Sequence, residues 1–548
     1  MSWPIGGNSE PPAWHTPAPE PMPEYITLVT RNKIADGLSS SDGAALARDV
    51  LPAYLMKRRW FSAKDQSIKF VRFKYLAPLP GDRELLLAEI ESKSDGDVNR
   101  WLLPLGVAWD EEPAGALPGQ LALARVRRVR RVRRTGLLTD AFSLAAFARQ
   151  MLAAFCTRTR IETPEGTITF DPVEEKKDTL CRPEDANVLW LGAEQSNSSL
   201  IVDDAVVLKI FRKVSAGEHP EAELGRYLTA QGFLNTPSLL GEVVRTTDDG
   251  ERHALAVAQA FIRNQGDAWS WTLDRFNHAL DDLAMPEGGV EERADEVADY
   301  TAIAAAIGKR LGEMHAVLAR PSDDPAFAPE TAGTQDVEDW ARRAVALLER
   351  AFGLLKKQAT WENETVEAQA KRLLSQQELL TRELKRMAKA GVGTAMTRIH
   401  GDFHLGQVLV ASGDVYLIDF EGEPGRPLAE RRAKASPLRD VAGLMRSFDY
   451  AAAATLDPRK LTAARLPPEQ REEFITSLRD RAQSAFLDAY QTASGTPVEN
   501  DLLAFFLMEK AVYELAYEAA NRPSWLLIPV NGLARLAARI QRTTRSES

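Results

Sequence analysis

The chain has 548 residues, 44 % hydrophobic and 27 % charged, with a formal net charge of −10. Such a length exceeds one hydrophobic core and predicts two to four structural units, while the composition excludes wholesale disorder and a fibrous fold. The negative balance argues against bulk attraction to nucleic acid or anionic lipid. No apolar run of about 18 residues and no basic start with an apolar segment behind it predict a membrane span or export. Cys156 and Cys181 are the chain's cysteines. They make no disulfide framework and fit a reducing compartment, so the sequence reads as cytoplasmic.

The first 24 residues hold seven prolines and little periodicity, which predicts an extended leader over residues 1–31. From Asn32 a helical pattern runs through ALARDVLPAYLMKRRWF, and SIKFVRFKYL, RELLLAEIES and NRWLLPLGVAW then alternate as strands. RVRRVRRVRR, residues 125–134, places seven arginines in ten positions. Its three-residue valine period fits neither strand nor helix, and no aromatic side chain interleaves to stack bases. The simpler reading is a solvated face paired with the chain's own acids, ahead of contact with an acidic partner protein.

TDAFSLAAFARQMLAAF is a capped helix, and GTITFDPV and VLWLGAEQSNSSLIVDDAVVLKIFRKV return to strands, the last two joined by Asp203 and Asp204. A helix from Pro220 to Gln231 and a hairpin about TTDDGE complete a sheet with one crossing helix. Beyond Asn264 helices dominate, with one interruption between Thr397 and Asp419.

That interruption contains RIHGDFHLGQVLV, residues 398–410. On a helix, His400 and His404 would share a face, as in zinc proteases, but Gly401 follows directly and the expected glutamate is missing. QVLVASGDVYLIDF reads instead as two strands joined at Ser412 and Gly413. The protein-kinase pattern fits better: an aspartate near the acceptor hydroxyl, an amide five residues on, then a second aspartate on magnesium. Asp402, Gln407 and Asp419 supply that set. The same pattern requires a strand lysine paired with a helix glutamate. Lys209 in VVLKIF, where a lone ammonium would be costly, and Glu223 on the following helix meet it.

HGDFHLGQVL, LIDFEGEPGRPLAERRAKASPLRDVAGLMRSFDYAA, EKAVYELAYEAANRPSWLLIP and the N-terminal LPAYLMKRRWFSAKD together resemble bacterial maltokinases, in the aminoglycoside-phosphotransferase branch of the kinase-like fold. The similarity covers nearly everything after the leader. It implies an α+β, bilobal protein-kinase-like fold with an N-terminal α/β cap: cap 32–124, intermediate nucleotide-binding lobe 125–263, helical C-lobe 264–548. It also implies transfer of the ATP γ-phosphoryl to the anomeric hydroxyl of maltose, with Mg2+ as cofactor, for α-glucan synthesis. Such kinases are often fused to or associated with trehalose synthase. No amylase-like domain is present, which leaves association as the open route; nucleic acid and membrane are not expected partners.

Carried over by position, Asp402 is the catalytic base, Gln407 and Asp419 the magnesium ligands, and Lys209 with Glu223 the phosphate-orienting pair. Glu421 belongs to the DFEGE signature and is a candidate for metal or sugar. Gln195, Ser196, Asn197 and Ser198 stand where a phosphate-covering loop would be, though a plain hairpin turn explains them nearly as well. Glutamine for asparagine, DFE for DFG and no G-x-G-x-x-G speak against protein-kinase activity. His404 is expected to hydrogen-bond near the site, His400 to pack the loop, and a satisfied buried histidine is as good a reading of each. For the sugar, Glu514, Tyr517 and Trp525 are candidates, with core packing the competing explanation. Arg439 and Asp440 read as a brace on the catalytic loop. Alternatives are an aminosugar kinase such as a glucosamine kinase, and a catalytically silent partner of trehalose synthase.

Overall fold

A computed structural model describes residues 26–61, 67–81, 84–94, 96–112, 115–129, 133–191, 197–284, 290–358, 361, 364–457, 466–522 and 525–546. The chain divides into two compact units, one of Trp3–Thr229 with Pro237–Arg263, the other of Asn264–Ser548 with Ala230–Thr236 and the first two residues. The fold is α+β, as the motifs imply.

Two sheets build the first unit. Among the described residues one has eight strands, in the order Thr27–Thr30, Ala122–Arg128, Arg134–Asp140, Leu105–Trp109, Leu86–Lys93, Val98–Leu102, Lys213–Val214, with Phe70–Pro78 also paired to Leu86–Lys93. Its first two strands pair in parallel and the rest are antiparallel. Leu28, Leu86, Ile90, Trp101 and Leu123 on these strands bury a core with Leu51, Leu55 and Phe61 of the N-terminal helical region. This sheet takes in Thr27–Thr30, within the expected leader, and continues through Asp140, beyond the expected cap of 32–124. Residues 1–25 of the leader lie outside the described residues.

Within the arginine run, Arg125–Arg128 belong to a strand. Arg125–Arg128 pair on one side with Thr27–Thr30 and on the other with the next strand. Arg128 is ion-paired to Glu84, Arg134 lies 3.0 and 2.7 Å from Glu111 and Glu112, and both guanidinium groups sit over Trp109, at 4.5 and 4.6 Å. Residues 130–132 are outside the described part.

The second sheet is antiparallel throughout, in the order Val188–Trp190, Asn197–Val202, Val206–Phe211, Arg252–Ala260, Leu239–Thr246, Gly166–Pro172, Arg160–Thr163. Helix Pro220–Ala230 starts on a proline, whose missing N–H costs nothing in a first turn. Helix Ala145–Cys156 buries Phe147, Met151 and Phe155 with residues of both sheets. Cys156 at its end is disulfide-bonded to Cys181 (Cα–Cα 5.7 Å), where the two cysteines of the sequence read as no disulfide framework.

The other unit is helical. Val290–Leu318 runs against Pro468–Ser494 so closely at Gly308 that an added Cβ would lie 2.0 Å from the Phe486 carbonyl oxygen. Helix Leu438–Thr455 is buried along most of its length. Within this frame sits the expected two-stranded hairpin, Val408–Ala411 with Asp414–Leu417. Its two-residue turn has positive φ at Ser412 (52°) and Gly413 (78°), the conformation that continues the strand twist. Among the described residues no helix is long and apolar enough to cross a membrane.

Candidate active site

Residues 398–404 have no regular structure, so their backbone N–H groups need other partners. A buried carboxylate provides them: Asp440, in the first turn of Leu438–Thr455, accepts from His400 N–H at 2.8 Å and Gly401 N–H at 2.9 Å. His315 Nε2 lies 3.1 Å from the same carboxylate, and its Nδ1 is 3.0 Å from the Tyr490 hydroxyl. Burial pushes the Asp440 pKa up, but the bond to His315, its charge and the loop N–H groups outweigh burial and hold it below the ordinary value. Asp440 is thus an ionised brace one residue behind Asp402. The helix comes so near that a Cβ on Gly443 would stand 2.6 Å from the Phe403 carbonyl oxygen.

Asp402, its side chain 24 % exposed, opens into a narrow cleft with Glu423, Arg426, Arg439, Glu509, Lys510 and Tyr513. Lys510 Nζ is 3.7 Å from Asp402, Arg426 Nε 2.6 Å from Glu423, and Arg439 Nη2 3.6 Å from Glu509. Lys510 also lies over the Tyr513 ring at 5.2 Å. Burial and a hydrogen bond to Glu423 push the Tyr513 pKa up; Glu423 itself stays low, because that bond and Arg426 outweigh its own burial. Each of these carboxylates already has a cation beside it.

Gln407 and Asp419 are joined directly: the Gln407 amide donates to Asp419 Oδ2 at 2.9 Å. Gln407 ends the short turn Leu405–Gln407, and its carbonyl accepts from Ile418 N–H at 3.0 Å, so the hairpin sets both residues. Asp419 has a φ of +69°, a strained left-handed backbone for a residue with a Cβ. The two histidines have separate protein partners. His400 Nε2 lies 2.8 Å from the Ile418 carbonyl oxygen, and His404 Nδ1 accepts from Gly406 N–H at 3.1 Å, which fixes a neutral ring. Burial lowers the His404 pKa further, against the pull of Asp402. Among the described residues no cluster of three His, Cys, Asp or Glu is poised for a metal.

In the other unit Lys209 lies inward on Val206–Phe211, and its Nζ is 3.5 Å from Glu221 Oε2. Glu223, the expected partner, is also buried, two residues along the same helix. Glu221 is held in turn by Gln259 Nε2 at 2.9 Å. Asn197 and Ser198 are not in a turn but open the strand Asn197–Val202, and the Ser198 hydroxyl accepts from Arg212 Nε at 2.8 Å. Gln195 and Ser196 lie outside the described residues.

The nominated sugar residues fall elsewhere. Glu514 is buried and takes both Nε and Nη2 of Arg446, at 2.9 and 2.7 Å, which makes it core structure. Tyr517 is 44 % exposed and stacks on Tyr513, and Trp525 stacks on Tyr450 at 6.3 Å. Neither lines the cleft. Glu421 is buried, with its carbonyl bonded by Arg431. What sequence reading missed is Glu423, Glu509, Lys510 and Tyr513. The signal was there: Glu509 and Tyr513 are four apart on Asn500–Asn521 and so share a helix face, one turn before the chosen Tyr517.

Comparison with known proteins gives a consistent picture. A family model described as "Phosphotransferase enzyme family" (APH) matches residues 186–475. A glucosamine kinase of Streptacidiphilus jiangxiensis is 28 % identical over 348 residues, covering 61 % of this chain and 70 % of its own length. One from Mycolicibacterium smegmatis is 28 % identical over 352 residues, covering 63 % and 78 %. The structure of a glucosamine kinase in complex with glucosamine, ADP and inorganic phosphate superposes with a TM-score of 0.60 at 20 % identity, over 90 % of this chain and 98 % of the other. That likeness is one of fold.

Proposed function

Since the chain belongs to the phosphotransferase enzyme family and is a phosphotransferase with a hydroxyl group as acceptor, we propose that it transfers the γ-phosphoryl of ATP to the anomeric hydroxyl of maltose. The observation that carries a neutral sugar is the cleft at Asp402, where Glu423, Glu509 and Asp402 are each matched by Arg426, Arg439 and Lys510. A cationic amine would need an unmatched carboxylate there; hydroxyl groups need only donors and acceptors, which paired charges offer.

In this mechanism Asp402 accepts the proton of the sugar hydroxyl as its oxygen bonds to the γ-phosphorus, and ADP leaves with the electrons of the broken P–O bond. Lys209 holds nucleotide phosphates and Glu221 holds Lys209. Asp419, whose carboxylate the Gln407 Nε2–H orients, and the Gln407 carbonyl oxygen would hold Mg2+, hard oxygen donors of the kind this ion takes alongside phosphates. When bound, the ion supplies neutralisation of phosphate charge.

The test is incubation with ATP, Mg2+ and either maltose or glucosamine, with the product identified by phosphorus–proton coupling. Maltose 1-phosphate is expected, and Asp402→Asn should lower the rate by roughly 10² to 10⁴. A second reading, glucosamine as acceptor, is favoured by the names of the two curated relatives. Turnover of glucosamine without maltose would replace the first reading with it.

A further inference from the structure

The strand that carries Lys209 does not end in its own sheet. Val206–Phe211 belongs to the seven-stranded sheet, and Lys213–Val214 immediately afterwards pairs with Val98–Leu102 in the eight-stranded one. Arg212, at the crossing, is 1 % exposed. Its carbonyl accepts from Leu102 N–H at 2.8 Å. Its guanidinium reaches three ways: Nε donates to the Ser198 hydroxyl at 2.8 Å, Nη1 is ion-paired to Asp140 Oδ2 at 2.9 Å, and the plane lies 5.0 Å from the Trp60 ring and 5.5 Å from Phe142. Asp140 is itself held by Tyr54 and the Phe142 N–H.

Side chains alternate along a strand, so Leu208, Ile210 and Arg212 share one face while Lys209 and Phe211 share the other. The burial partners agree. Leu208 and Ile210 join the core between sheets, and Phe211 joins Ala222 of the helix that bears Glu221. The lysine strand is therefore fixed on one face by Arg212 and on the other by the pair with Glu221. Arg212 also grips Ser198, the last residue of the segment 195–198 read from sequence as covering phosphate. A planar guanidinium reaches Ser198 and Asp140 from different nitrogens while lying against the rings; an ammonium is a single point charge without that plane.

We propose that Arg212 and Asp140 form a positioning joint through which the N-terminal sheet sets Lys209 and the start of Asn197–Val202 for nucleotide binding. This rests on the nucleotide role proposed above for Lys209. The joint touches no substrate. It acts by fixing the strand three residues from the lysine.

The experiment measures the dissociation constant for a non-hydrolysable ATP analogue with Mg2+ in the full chain for Lys209→Ala, Asp140→Asn, Arg212→Lys and Asp140→Asn combined with Lys209→Ala, with circular dichroism confirming folding. Asn keeps the acceptor for Phe142 N–H, so Asp140→Asn is the mild probe. Asp140→Asn and Arg212→Lys should each weaken the analogue about tenfold, with the KM for the sugar unchanged, and the Asp140→Asn loss should vanish once Lys209 is alanine. Full-strength binding by both folded single variants, or an equal loss in the Lys209→Ala background, would overturn the joint. If Lys209→Ala alone binds normally, the nucleotide reading of Lys209 fails first.

Discussion

The cleft at Asp402 is built by neighbours far along the chain. Asp402, Gln407 and Asp419 could be picked from the sequence because their spacing is local, fixed by one turn and one hairpin. Lys510, Glu509 and Tyr513 reach the same cleft from a helix near the C-terminus; the spacing shows that Glu509 and Tyr513 share a helix face, but not which loop that face meets. Glu514 shows the opposite error: a carboxylate on the right helix, turned one position away into Arg446. His404 gives a prediction at this scale. Its pKa is lowered in the folded chain by burial, so the stability it contributes is complete above its unfolded value and is lost as pH falls through the folded one. Urea midpoints should therefore drop between pH 7 and pH 5, and His404→Asn, which keeps an acceptor for Gly406 N–H and cannot titrate, should drop less.

Helix Leu438–Thr455 positions the loop by two means, a charge and an absence. Asp440 supplies the charge, holding two consecutive backbone N–H groups. Gly443 supplies the absence, since its missing Cβ is the space taken by the Phe403 carbonyl. Gly443→Ala gains helix propensity but must push the loop or the helix aside, at about 1–3 kcal/mol for overpacking. Its kcat should fall by about tenfold, since small displacements of reacting groups are costly. Steady-state kinetics beside a thermal melt will check both. A sequence places Asp440 on a helix near a loop; it does not show how close a backbone approaches, which is why the glycine passed unremarked.

Over the whole molecule, alternating strands early and long helices late disclosed the fold class, and the hairpin turn at Ser412 and Gly413 was legible from its residues. Boundaries were not. Sheet membership is decided by long-range pairing, so Arg134–Asp140 and Lys213–Val214 join strands distant in sequence, and no composition shift marks them. The disulfide was misjudged for the same reason: 25 residues separate Cys156 and Cys181, and only the fold shows that they meet. Closing a loop of that length stabilises by about 3 kcal/mol on the chain-entropy account. Cys156→Ser should accelerate hydrogen exchange in Ala145–Cys156 and Lys177–Leu180 and leave exchange in Asn500–Asn521 unchanged, as read by mass spectrometry.

The left-handed backbone at Asp419 has an evolutionary consequence. Glycine at that position would relieve roughly 1 kcal/mol of conformational strain, so a search for sturdier variants would steadily favour it. Every such gain would remove the carboxylate that Gln407 orients. Selection for turnover and selection for robustness pull this single codon in opposite directions. A library screened for heat resistance alone would be expected to return a folded, well-behaved and silent enzyme.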